Sequence, residues 1–271
     1  MTDRPAQATA TGAGVAAADA PAGPPVLRTH GLVRRFGGIV ATDQVSLTIA
    51  AGARHALIGP NGAGKTTLIN LLTGVLAASE GRIEMDGVDI THESPYRRVR
   101  RGIVRTFQIN QLFGELTPLQ TLLLVVAQRD GDGARWWRPL GSSPQQLDEA
   151  VRLLERFRLA DMMNTRTAIL PYGKRRLLEI AIAVAARPRL LLLDEPAAGV
   201  PEGERDDILE TINRLPADVS ILLIEHDMDL VFSFARRISV LVSGALLTEG
   251  TPQQIAADPR VRQVYLGEAA A

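Results

Sequence analysis

The sequence predicts an α/β fold: a core of parallel strands alternating with helices, an antiparallel β region near the N-terminus, and an inserted helical subdomain. Three observations predict it. The apolar runs at residues 56–58, 190–193 and 221–224 have strand length, and each gives way to polar residues and then to a helical pattern, which is how interior parallel strands read. Residues 26–34 and 45–49 have the pattern of strands around a turn at Gly37-Gly38. From about residue 91 to 186 the periodicity turns largely helical, with 145–157 amphipathic and 174–185 mostly apolar. Residues 238–242 and 245–248 read as a closing hairpin turned at Ser243-Gly244, followed by short helices after Thr251 and Pro259.

Composition bounds the function classes. The chain has 271 residues, of which 46% are hydrophobic, enough for a sizeable core. Lys plus Arg and Asp plus Glu both count 30, so no net basic field points to nucleic acid. There is no cysteine, which excludes disulfides and thiolate metal sites. Residues 1–25 are rich in Ala, Gly, Pro and Thr and are expected to be a disordered tail, leaving 26–268 as the folded unit. The longest apolar runs, 122–127 and 190–193, are far short of the roughly 20 residues that cross a bilayer.

The chemistry begins at Gly59-Pro60-Asn61-Gly62-Ala63-Gly64-Lys65-Thr66-Thr67, which satisfies G-x-x-x-x-G-K-[ST] directly after a strand and at the start of a helix. Main-chain N–H groups free of Cβ crowding wrap phosphates, and the helix N-terminus adds positive potential. In that setting Lys65 neutralises β/γ oxygens and the Thr66 hydroxyl ligates Mg²⁺. The core is therefore expected to be a P-loop NTPase core.

Residues 190–193 deliver Asp194 and Glu195 to the carboxyl edge of a buried strand, the edge at which open α/β sheets bind ligands. Asp194 is expected in the Mg²⁺ shell, and Glu195 to accept a proton from an attacking water. Glu225-His226-Asp227 ends a neighbouring apolar strand, which brings His226 to the same crevice within reach of a γ-phosphate.

In this order the pieces resemble the ATP-binding-cassette (ABC) ATPases, over about residues 27–268. The resemblance implies that Phe36 stacks on adenine, that Gln108 in Arg105-Thr106-Phe107-Gln108 touches Mg²⁺ and senses a permease, and that Leu170-Pro171-Tyr172-Gly173-Lys174 is the signature segment. The family's usual L-S-G-G-Q is altered here. Pro171 replaces the serine and offers neither hydroxyl nor N–H, leaving Tyr172, Gly173 and the helix start to face the γ-phosphate held by an opposite subunit. In Ala197-Ala198-Gly199-Val200-Pro201, similar to the dimer-contacting loop, Pro201 stands where Asn or Asp is usual. The run R-R-L-x-E-I-A, with D-E-P-A-A-G, I-E-H-D-M and Tyr265-Leu266-Gly267-Glu268, looks like the subgroup that powers import of branched-chain amino acids and related polar solutes such as urea or short amides.

That resemblance implies a second ATPase subunit, identical or related, multi-spanning permease subunits, an external solute-binding protein, and a peripheral place on the cytoplasmic face of the inner membrane. A soluble cassette ATPase uncoupled from any permease is the alternative, and a P-loop kinase a third. The basic run Arg97, Arg98, Arg100, Arg101 and Arg105 is read as a solvated helix face. Trp136-Trp137 fits either an interfacial anchor or internal packing.

Overall fold

The structure, a computed structural model, describes residues 24–106, 112–132 and 141–268. All but the last two residues of the expected tail, together with Gln108 and Trp136-Trp137, lie outside the described residues.

Two sheets form the core. The first has the order β11-β10-β4-β9-β8-β7, built from β4 (Arg54–Ile58), β7 (Ile103–Arg105), β8 (Leu190–Asp194), β9 (Ser220–Ile224), β10 (Arg237–Val242) and β11 (Ala245–Gly250). Its neighbours are parallel except for the β10–β11 hairpin. The second is antiparallel, with β1 (Pro25–Phe36) central between β2 (Ile39–Val45) and β5 (Glu80–Met85); β3 (Thr48–Ala50) also pairs with β1, and β6 (Val88–Asp89) with β5.

Every residue of β8 and β9 is buried, because both faces of the parallel sheet are covered. The period of two divides them: Leu191, Leu193, Ile221 and Leu223 enter one apolar cluster, while Leu190, Leu192, Leu222 and Ile224 enter another. The first cluster is closed by α3 (Pro118–Arg129), α4 (Pro144–Arg156), α5 (Tyr172–Ala185), α6 (Glu202–Asn213) and α7 (Met228–Phe234). The second is closed by α1 (Lys65–Thr73) and the antiparallel sheet, through Leu68, Leu72, Leu32 and Ile83. Each fully buried leucine contributes about 1.5–3 kcal/mol, so a polar side chain at Leu192 or Leu223 would break the layer that positions the strand ends.

Sequence signals set the helix starts. Thr117 and Thr251 build capping boxes with Gln120 and Gln254, each with proline at the first turn, opening α3 and α8 (Pro252–Ala257). Differences from expectation are local. The strand expected at 45–49 divides between the end of β2 and β3. The hairpin β5–β6, which turns at Asp86-Gly87 with φ 49° and 76°, was not anticipated. Neither was β7, which lies inside the stretch read as helical and supplies the edge strand beside β8; with three residues it carries no readable periodicity.

Candidate nucleotide site

The loop from Gly59 to Gly64 links β4 to α1. Two of its glycines have no room for a side chain. A Cβ on Gly59 would meet Leu241 O at 2.1 Å, and one on Gly64, where φ is 100°, would meet Ala41 O at 2.4 Å. A main-chain bond fastens the loop to the β10–β11 turn, Gly244 N donating to Ala63 O at 2.9 Å, and β2 holds the same turn through Asp43 N donating to Gly244 O at 2.8 Å. Gly64 caps α1 without any side-chain hydrogen bond, so the first-turn N–H groups of that helix are offered to whatever fills the space beside them. Lys65 folds back over the loop, its Nζ donating to Gly59 O (2.5 Å) and Pro60 O (3.0 Å). A cleft of about 390 Å³ opens here, walled by Ile39 to Ala41, by Asn61 through Thr67, by Ser243-Gly244 and by Glu195. Its size is in the range of small-ligand sites.

The pairing of β8 with β9 sets Asp194 opposite Ile224, so Glu195, Glu225 and His226 leave the sheet at one edge. Asp194 is buried, and its Oδ2 accepts from Arg105 Nη2 at 2.6 Å; the same guanidinium reaches Asn70 Oδ1 of α1 at 2.7 Å. Glu195 has φ 45°, a left-handed conformation unusual for a residue with a side chain. Its N–H donates to Ile224 O at 2.9 Å, and its carbonyl accepts from Arg176 Nη2 at 3.0 Å. His226 is exposed and stands 3.7 Å from both Glu195 Oε1 and Glu225 Oε2, too far for a direct hydrogen bond. Burial raises the Glu225 carboxyl above its ordinary range, opposed by the bond it accepts from His226 N at 3.2 Å. Its Oε1 has no hydrogen-bond partner among the described residues.

The structure thus gathers Asn61, Gly62, Ala63, Gly64, Lys65, Thr66, Thr67 and Glu195 around one cleft, with Asp194 preceding Glu195 at the end of β8 and His226 Nδ1 3.7 Å from the Glu195 carboxylate. Phe36 stands at the end of β1, 43% exposed and paired with Ile39, and the Arg34 guanidinium lies 4.6 Å from its ring centroid. Tyr172 and Gly173 begin α5 and take no part in the cleft walls. The Tyr172 hydroxyl donates to Ala198 O at 3.2 Å, and Gly173 N donates to Glu204 Oε2 at 3.0 Å.

The basic run is not uniformly a solvated face. Arg98 is 2% exposed and donates to the carbonyls of Leu71, Leu72, Thr91 and Glu93, closing the C-terminal end of α1, whose last carbonyls lack intrahelical partners. Arg105 belongs to the strand-end cluster. Sequence reasoning missed Arg105, Asn70 and Arg176 as parts of the site. For Arg176 a signal existed: it shares a helix stripe with Ile180 and Val184, both apolar, and has Glu179 one turn on.

A triphosphate fits what is present: a glycine-rich loop, a helix start without a side-chain cap, and a lysine whose ammonium rests on loop carbonyls at its lip. Mg²⁺ fits the donor set as well. No cluster of three or more His, Cys, Asp or Glu side chains capable of holding a metal occurs among the described residues, so a cation here would take its ligands from a hydroxyl, a carboxylate, phosphate and water, as Mg²⁺ commonly does.

Fold and site together define a P-loop nucleotide-binding protein. Comparison with known proteins narrows this further. The family model described as "ABC transporter" matches residues 42–198, and that described as "Branched-chain amino acid ATP-binding cassette transporter" matches 245–271. The chain is 41% identical, over 90% of its length and 99% of the relative's, to the high-affinity branched-chain amino acid transport ATP-binding protein BraF of Pseudomonas aeruginosa. It is 40% identical, with the same coverage, to LivG of Escherichia coli, which carries the same description. Among solved structures it resembles the ADP conformation of an ATP-binding cassette of an ABC transporter, with 33% identity, a TM-score of 0.79, and coverage of 90% of this chain and 99% of that one. A nucleotide-free ATP-binding cassette matches with 32% identity and a TM-score of 0.77, covering 89% and 99%. The chain belongs to the ABC transporter family and is one of its ATP-binding cassettes, an ATPase.

Proposed function

We propose that this cassette is the ATP-hydrolysing subunit of an importer for branched-chain amino acids or related polar solutes, acting as one half of a nucleotide-bridged dimer on the cytoplasmic face of the membrane. The observation that carries this reading is the convergence of the Gly59–Thr67 loop with Glu195 on one cleft, in a chain whose C-terminal segment matches the branched-chain amino acid cassette model. No observation favours a cassette uncoupled from a permease.

The residues divide the work by chemistry. The loop N–H groups and the start of α1 would hold the phosphates, while Lys65 would exchange the carbonyls of Gly59 and Pro60 for β/γ oxygens. Phe36, already backed by Arg34, would take the adenine on its open face. Thr66, Asp194 and Gln108 are the residues that would hold Mg²⁺. Glu195 would accept a proton from water and His226 would orient that water or meet transition-state charge. Tyr172 and Gly173 would face the nucleotide of the partner cassette, where the Gly173 N–H would exchange Glu204 Oε2 for a phosphate oxygen in place of the hydroxyl that Pro171 cannot supply. When bound, Mg-ATP supplies the phosphoanhydride whose loss changes which dimer state is favoured. Glu195 thereby sets when the closed state loses its advantage, since a ligand shifts an equilibrium only by its differential affinity.

The test is ATP-driven uptake of labelled leucine into vesicles containing the chain with its permease and solute-binding protein. Uptake that requires ATP and disappears with Glu195→Gln supports the reading. Uptake indifferent to that substitution, or a chain that hydrolyses ATP but assembles with no membrane protein, rejects it.

A further inference from the structure

One buried cation joins the two ends of this machinery. Arg176 lies in the second turn of α5, 3% exposed. Its Nε donates to Pro196 O at 2.9 Å, and its Nη2 to Asp194 O at 2.9 Å and Glu195 O at 3.0 Å. Its Nη1 pairs with Glu179 Oε2 at 2.6 Å. A single guanidinium therefore holds the carbonyls of three consecutive residues, the middle one being Glu195.

We propose that Arg176 is a positioning residue that ties the helix facing the partner cassette's nucleotide to the peptide carrying Glu195, and so couples the two nucleotide sites of the dimer. The inference rests on the roles proposed above for Glu195 and for the start of α5.

The backbone at Glu195 is the reason such a tie is needed. A left-handed conformation is unfavourable for a residue with a Cβ, and it persists only where the surroundings over-determine it. From the sheet side, Ile224 O fixes the Glu195 N–H. From the helix side, Arg176 fixes the carbonyls before, at and after it. The orientation of those peptides sets where the Glu195 carboxylate points into the cleft. The planar fork of a guanidinium suits the task, since its donors are held in fixed relative directions, which a lysine ammonium cannot reproduce.

The first turn of α5 is fastened to the same segment two residues beyond Pro196, through the Tyr172 hydroxyl and Ala198 O. Tyr172 and Arg176 are one turn apart, so residues 194–198 are held at both ends by one face of α5. A small displacement of that helix start, such as engaging a phosphate on the partner would produce, must move or strain the Glu195 peptide. Were the guanidinium only neutralising Glu179, its carbonyl bonds would be incidental; the positioning lies in those bonds and not in the ion pair.

The experiment uses the transporter assembled with its permease in liposomes and compares Arg176→Gln, Arg176→Lys, Glu179→Gln and Glu195→Gln. With Arg176→Gln, kcat for ATP is expected to fall about 10-fold or more, as misplaced catalytic groups do, with KM within about twofold of wild type and ATP dependence becoming non-cooperative. Arg176→Lys keeps the charge beside Glu179 but not the fork, so it should fold and show the same split with a smaller loss. Glu179→Gln leaves the carbonyl bonds in place and should retain kcat within about twofold. A folded Arg176→Gln, or failing that Arg176→Lys, with wild-type kcat and cooperativity overturns the proposal, as does a Glu179→Gln that reproduces the full Arg176→Gln loss. Glu195→Gln separates the two levels: if it retains turnover, the proposed base is wrong, whereas if it loses turnover while the Arg176 variants do not, only the coupling fails.

Discussion

Arg105 Nη2 lies 2.6 Å from Asp194 Oδ2, joining the edge strand β7 to the carboxylate at the end of β8. Both side chains are largely buried, at 12% and 3% exposure, so neither charge is compensated by water if the other is removed. Arg105→Met should therefore destabilise the protein by about 3–5 kcal/mol, because it strands a buried carboxylate. Replacing both partners, Arg105→Met with Asp194→Leu, should recover most of that loss. Urea unfolding of the wild type, both single variants and the double variant measures the coupling; a double variant no more stable than Arg105→Met would show that the pair is not what holds the strand end.

Glu195→Gln keeps the side-chain volume and the left-handed backbone but removes the proton acceptor. Turnover should fall by about 10²-fold or more while ATP is still bound. Lys65→Ala should instead weaken ATP affinity, because the ammonium serves the phosphates. A fluorescent ATP analogue titrated into both variants separates these outcomes: unchanged affinity in Lys65→Ala would count against the phosphate cradle, and normal hydrolysis in Glu195→Gln against the base.

How much of this was legible in the sequence depends on whether a feature is local. The loop at 59–67 and the four leucines at 190–193 announce themselves because strand, turn and helix are contiguous in the chain. The Asp86-Gly87 pair is itself a legible turn signal, but the two-residue strand after it is too short to show a period. Arg98, Arg105 and Arg176 were not legible in the same way. An arginine among other charges reads as solvated, and only tertiary packing brings the C-terminal carbonyls of α1, or those of residues 194–196, within reach of a guanidinium. His226 follows Glu225 just past the end of β9 and is exposed, and its 3.7 Å separation from Glu195 is a matter of side-chain geometry that no pattern reports.

The loop glycines should separate strain from collision. Gly62 has φ 76° and open space where a Cβ would lie, so Gly62→Ala incurs only the left-handed backbone cost of about 1–2 kcal/mol. Gly64 combines φ 100° with a Cβ that would sit 2.4 Å from the main-chain oxygen of Ala41, an atom that cannot swing away. Gly64→Ala should therefore cost about 1–3 kcal/mol more than Gly62→Ala, by analogy with overpacked sites. Equal unfolding free energies for the two variants would mean that the β2 strand gives way freely.

At the amino end of β4, outside the walls of the nucleotide cleft, His55 predicts a pH dependence. Its Nε2 is 2.8 Å from Ser239 Oγ, and that hydroxyl donates to Glu249 Oε2 at 2.5 Å. With the serine hydrogen committed to the carboxylate, the ring must donate from Nε2. Burial pushes the imidazole down from 6.5 to about 4, against the opposing pull of Glu249, so the ring 3.9 Å from that carboxylate is neutral and not half of a salt bridge. The unfolded chain then binds a proton that the folded chain refuses as pH falls from 6.5 towards about 4, and stability is full above this window and declines through it. The contribution at about pH 5 is a loss of about 2 kcal/mol relative to neutral pH. Glu179 and Glu225, whose carboxyls are raised by burial, act in the opposite direction but equally in wild type and variant. His55→Gln, which retains an N–H donor towards Ser239 without a titrating ring, should lose correspondingly less stability than wild type when urea unfolding is compared at about pH 7.5 and about pH 5. Parallel losses in the two proteins would show that the ring protonates in the folded state as readily as in the unfolded one.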